Sequence, residues 1–127
     1  MTRVMMGCLL LWSIGAHAGT NVQQDVDHLL VFIETSDCTF LRNGREYDAQ
    51  EAREHIQKKY NYAKDAIETT EQFIEYTATR SHLSGRPYRV NCAGQEQLTS
   101  EWLNGELHRY RDQQTAGNPA PAPITTQ

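Results

Sequence analysis

The sequence predicts an α+β domain: about four helices packed on a small three-stranded antiparallel sheet, a hairpin plus one strand, held by one disulfide. Three observations lead there. Apolar residues recur at helical spacing in four separate stretches. Asn43-Gly44 stands between two short runs as a hairpin turn. Two cysteines, Cys38 and Cys92, remain once an N-terminal leader is set aside.

The leader comes first. Residues 1–18 carry one positive charge at Arg3, an apolar run from Val4 to Ile14 and small residues ending at Ala18, the layout of a secretory signal peptide cleaved after Ala18. The run is too short for a stable membrane span, which needs roughly 20 apolar residues. Too little apolar chain precedes Cys8 for a lipoprotein signal. Localisation in the periplasm follows as an expectation, and the oxidising environment makes a Cys38–Cys92 disulfide the simplest use of the remaining pair.

The first helix is expected in "TNVQQDVDHLLVFIE", where Thr20 and Gln23 form a capping-box pattern and Val22, Val26, Leu29, Leu30 and Ile33 share a face. Asp25 and Asp27 lie near the positive end of its dipole. In "CTFLRNGREYD" the two-residue turn pairs Arg42 with Arg45, Leu41 with Glu46 and Phe40 with Tyr47. Alternation puts Cys38, Phe40, Arg42, Arg45 and Tyr47 on one face. Asp48 then caps a helix whose third residue is Glu51, with Ala49, Ala52, Ile56, Tyr60, Ala63 and Ile67 as its stripe. A second capping box, Thr69 with Gln72, opens a third helix with Phe73, Ile74 and Thr77 inward; one long bent helix over 49–80 is the alternative. Gly85 and Pro87 break the chain before "YRVNC", the third strand. Placed antiparallel beside the first strand, it brings Cys92 to Cys38. The last helix, in "TSEWLNGELHRYR", uses Leu98, Trp102, Leu103, Leu107 and Tyr110, with Trp102 expected in the core.

Residues 19–113 therefore read as one α+β domain, and residues 114–127, rich in Pro, Ala and Thr, as a disordered tail. Without the leader the chain has 11 basic and 16 acidic residues, a net charge of −5. That charge and the expected export argue against nucleic acid as a partner. No metal site or cofactor is expected, because His28, His55, His82 and His108 are scattered without ligand spacing. No catalytic motif is present either. A hydrolase using Ser81 or Ser84 with His82 has no supporting spacing, and a nucleophilic cysteine is disfavoured in an oxidising compartment.

One charge imbalance stands out. Between Glu75 and Glu96 there is no acidic residue, yet Arg80, Arg86 and Arg89 fall there. On the expected sheet they neighbour Arg42 and Arg45, whose facing like charges should repel. An anion between those two guanidinium groups would relieve the repulsion. Arg42, Asn43, Arg45, Arg86 and Arg89 are therefore the candidate anion- or partner-binding residues, since guanidinium forks suit carboxylates and phosphates. The plainer reading is that the arginines pair with helix carboxylates such as Glu46, Glu71 or Glu101.

The C-x-F-x-R-N-G-x-x-Y hairpin, the T-x-E-x-F-I helix start, the S-x-x-S-G-x-P-Y loop and the W-L helix together resemble the YfeK-like family of small exported bacterial proteins. The likeness extends from about Val31 to Arg111. It implies export, a small α+β domain and the Cys38–Cys92 pair; the family is a domain of unknown function and supplies no catalytic residue. The functional expectation is a non-enzymatic binding module of the cell envelope, inhibitor- or immunity-like, with an envelope protein as partner. Its rivals are a binder of an anionic small molecule or glycan through the arginine-rich surface, and a cell-wall hydrolase.

Overall fold

The computed structural model describes residues 21–117; residues 1–20, which include the leader and Thr20 of the expected first capping box, and residues 118–127 of the tail lie outside them. Helix α1 spans Val22–Glu34 and buries Val26, Leu29, Leu30 and Ile33. Its N-cap is Asn21, whose side chain accepts from Gln24 N at 3.2 Å, one residue beyond the Thr20–Gln23 box expected. Gln23 instead accepts a hydrogen bond from Tyr60 Oη.

Strands β1 (Thr39–Arg42) and β2 (Arg45–Tyr47) form the hairpin in the predicted register, with Arg42 facing Arg45 and Phe40 facing Tyr47. Asn43 and Gly44 hold positive φ of 52° and 76°, as that turn requires. Asp48 starts α2 (Ala49–Ala63) through a complete capping box with Glu51. A short 3-10 turn at Lys64–Ala66 separates α2 from α3 (Thr70–Ala78), so the single bent helix does not form. The second capping box, Thr69 with Gln72, explains why: it opens a new helix.

Strand β3 (Arg89–Cys92) runs antiparallel to β1, pairing Val90 with Phe40, and the Cys38–Cys92 disulfide closes at a Cα–Cα distance of 4.6 Å. The sheet differs from expectation in having a fourth strand. Ala93 and Gly94 turn with positive φ, and β4 (Gln95–Leu98) pairs back on β3, giving the order β2-β1-β3-β4. "QEQL" conceals a strand because three of its four residues are exposed and polar, suited to an edge that must not pair with other chains. Leu98 accordingly ends β4 and does not open the last helix. Helix α4 runs over Thr99–Gly117, four residues into the stretch read as tail.

The four helices cover the sheet face that carries Phe40 and Val90, around fully buried Val26, Leu29, Ile33, Phe73, Leu103 and Leu107. Trp102 is half-buried, packed between Phe32 and Phe40 with ring centroids 4.5 and 5.6 Å away. Asp25 does more than meet the helix dipole. It is buried, accepting from Thr70 Oγ1 at 2.8 Å and from Arg111 Nη2 at 3.1 Å, and so ties α1 to α3 and α4.

Candidate functional site

Alternation along β1 puts Phe40 and Arg42 on the same face, so the apolar inner side of the sheet ends in a guanidinium beneath α2. Helix α2 begins directly after β2, and its buried stripe Ala52, Ile56 and Tyr60 points at the core. The residues one position earlier in each turn, His55 and Lys59, therefore flank that stripe on the side of the hairpin. Tyr88, just before β3, completes the cluster.

The contacts form a chain. Arg42 Nη2 donates to Tyr47 Oη at 3.1 Å, and Nη1 lies 2.7 and 2.8 Å from the ring nitrogens of His55. His55 Nε2 is 3.5 Å from Tyr88 Oη, which is 3.4 Å from Lys59 Nζ. A guanidinium can only donate, so the imidazole must present a lone pair to it, which requires the neutral ring. Burial, then the charges of Arg42, Lys59 and Lys58, lower the His55 pKa to about 4. Burial and Arg42 lower Lys59 to about 8, and burial raises the Tyr88 phenol.

Beside this chain is a cleft of about 310 Å³, walled by Phe40, Leu41, Ala52 and Ile56, with Arg42, Tyr47, His55 and Tyr88 among its polar groups and the charged side chains of Glu51, Glu54, Lys58 and Arg89 also in its lining. Arg42 Nε is buried there without a hydrogen-bond partner. Among the described residues neither Arg42 nor Lys59 has a carboxylate within ion-pair distance. Glu51 and Glu54 line the cleft but pair with neither cation, so Arg42 and Lys59 are left to suit a negatively charged group.

Of the five residues singled out from the sequence, Arg42 and Arg89 line the cleft and Asn43, Arg45 and Arg86 do not. Arg42 lies at the cleft. Arg45 reaches back over the Tyr47 ring, its guanidinium carbon 5.5 Å from the centroid against 4.9 Å for Arg42. The like-charge pair is thus moderated by a shared aromatic face. Arg89 is opposite Leu41, on the other face of the sheet from Arg42, pairs with Glu96 at 3.5 Å and also borders the cleft. Asn43 is a structural latch that donates to Ser81 Oγ at 3.2 Å and accepts from Ser84 Oγ. Arg86 sits on the exposed loop after α3. The carboxylates used by the other arginines are mostly not those expected: Arg80 takes Glu75, and Glu71 is held by Arg111.

Ser81 and His82 do not address one another. Ser81 is buried and its Oγ accepts from the amides of Leu83 and Ser84, while His82 Nε2 is 3.1 Å from the Tyr76 carbonyl. The residues that sequence reasoning misses are Tyr47, His55, Lys59 and Tyr88. A signal for two of them exists, because His55 and Lys59 are four apart along one flank of a clear amphipathic stripe.

Among the described residues no helix is long and apolar enough to cross a membrane, and no three His, Cys, Asp or Glu side chains cluster to hold a metal. Residues 20–111 match a family described as a family of unknown function, DUF5329. An uncharacterized protein YfeK from Salmonella typhimurium strain LT2 is 33% identical over 82 residues, covering 62% of this chain and 68% of that protein. No solved structure matches the chain.

Proposed function

Because the chain belongs to DUF5329, a family of unknown function, it inherits no activity, and we propose from the site alone that it is a non-enzymatic module that binds an anionic group at Arg42. The proposal places it in the periplasm, following the leader-like layout of residues 1–18. A mature N-terminus at Gly19, read by intact mass, is the expected outcome there; retention of residues 1–18 would count against export.

The observation that carries the binding proposal is the buried, unpartnered Nε of Arg42, beside a neutral imidazole and a second cation that lacks a carboxylate. A buried unsatisfied donor costs about 1–3 kcal/mol, which a ligand oxygen would recover once the guanidinium turns its Nε towards the cleft on binding. The apolar walls suit a ligand with a hydrocarbon or sugar body and one carboxylate or phosphate, and the cleft volume is at the small-molecule end of binding sites.

The test is thermal melting with a panel of muropeptides, uronic-acid glycans, small organic carboxylates and phosphate monoesters. A true ligand at about 100 times its Kd adds about 2.7 kcal/mol to stability. Arg42→Met should abolish that gain, whereas Arg45→Ala should retain most of it. A panel without any stabilising compound, or an Arg42→Met variant that binds as well as the parent, would overturn the reading.

A further inference from the structure

On the opposite side of Lys59 from the cleft, the described surface carries a groove of about 580 Å³ with a floor of Ala63, Ala66, Ile67 and Tyr76. Two of the three exposed large hydrophobic side chains among the described residues stand at its margins: Tyr62, 89% exposed, next to Ala63, and Leu83, 97% exposed, in the loop that forms the other lip.

The loop is not loose. Gly85 N donates to the Ser81 carbonyl at 2.8 Å, Ser81 N to the Arg86 carbonyl at 3.0 Å, and Arg86 N to Ser84 Oγ at 3.2 Å. The Asn43 latch fastens it to the hairpin, and Gly85 supplies the positive φ of 73° that closes the turn. So much bonding around a leucine that touches so little preorganises an apolar projection, and a rigid projection loses little entropy on docking.

We infer that this face is an isologous dimer interface, in which Leu83 of each copy seats in the groove of the other. A two-fold interface needs a patch complementary to itself, with projection and receptor on one surface. This face has both, side by side. Its charges are arranged likewise. Arg80 and Glu75 in the groove wall pair with each other within one copy at 3.3 Å, which leaves Arg86 on the loop lip and exposed Asp65 and Glu68, with Lys64 beside them, on the side of Ala66 and Ile67. A two-fold rotation brings Arg86 of each copy towards Asp65 and Glu68 of the other. Arg86, which has no carboxylate partner among the described residues, would acquire one across the interface. The inference is independent of the anion cleft, with which the groove shares no lining residue.

Sedimentation of the purified protein, loaded from about 1 µM to about 1 mM to span weak through moderate association, tests it. A reversible monomer–dimer equilibrium is expected. Leu83→Asp should raise the dimer Kd at least about tenfold without lowering the melting temperature, since Leu83 packs against nothing in the monomer. Ala66→Trp, which fills the groove, should do the same. A Leu83→Cys, Ala66→Cys double variant should cross-link between copies on mild oxidation. A wild-type protein that stays monomeric throughout would overturn the inference and leave the face to a partner of different kind, as would a dimer whose Kd is unchanged in both Leu83→Asp and Ala66→Trp.

Discussion

Arg42 occupies the position where the inner face of the sheet stops being apolar, and its neighbours are set by that placement. His55 is held neutral against it, with consequences for stability that have a definite sign. In the unfolded chain the imidazole titrates near 6.5, and in the fold its pKa is lowered to about 4. Between those values the unfolded chain binds a proton that the native protein refuses, so stability should fall as pH drops from about 6.5 towards 4. Melting curves across that range should show the slope, and His55→Gln should flatten it. The depressed carboxyls of Glu71 and Glu106 act lower down. Paired with Arg111 and Arg109, they stabilise the fold above their ordinary range and lose that contribution as pH falls through their lowered values. An anion at Arg42 would make protonation of His55 and Lys59 easier, so ligand binding should take up protons. Calorimetry in buffers of different ionisation enthalpy would measure that uptake, and heats independent of buffer would contradict it.

At the scale of elements, the hairpin and α2 are coupled through Asp48, the single residue between them. It follows Tyr47, the last residue of β2, and caps α2, its Oδ1 accepting from Glu51 N at 2.8 Å. Asp48→Ala should cost about 1 kcal/mol, a fall in melting temperature of about 4–8 °C for a domain of this size. The junction of α1, α3 and α4 depends on Asp25 in a different way. Its carboxylate is buried, and removing it leaves Arg111 half-buried with Glu71 as its remaining carboxylate and Thr70 Oγ1 unpaired. Asp25→Ala should therefore cost about 3 kcal/mol, well above the helix-dipole effect of under about 1 kcal/mol. Chemical denaturation of the variant checks the figure; a loss no greater than that of Asp48→Ala would mean the junction contributes little.

For the whole molecule, the disulfide joins the start of β1 to the end of β3 across a separation of 54 residues. Closing a loop of that length is worth on the order of 4 kcal/mol in the chain-entropy description, a large share of the stability of a domain this small. Reduction, or a Cys38→Ala, Cys92→Ala double variant, should lower the denaturation midpoint accordingly, and an unchanged midpoint would refute it. The bond is legible in the sequence because strand parity and cysteine number agree on it. The hairpin register is legible for a similar reason, since Asn43-Gly44 permits one tight turn and the turn dictates every pair. Helices α2 and α3 are marked by their caps and stripes. All of these are properties of short stretches, governed by turn chemistry, helical period and capping, so the order of residues along the chain is enough to specify them. Strand β4 escapes such a reading because a polar edge strand lacks the apolar alternation that marks a buried one. The cleft is only half visible in the sequence, for Arg42 stands out while His55, Lys59, Tyr47 and Tyr88 do not. Their meeting depends on how α2 is rotated over the sheet and where the loop after α3 returns Tyr88 to it. Core packing sets both, through contacts between residues far apart in the chain, and which arginines border the cleft is therefore a property of the packed molecule and of no single stretch within it.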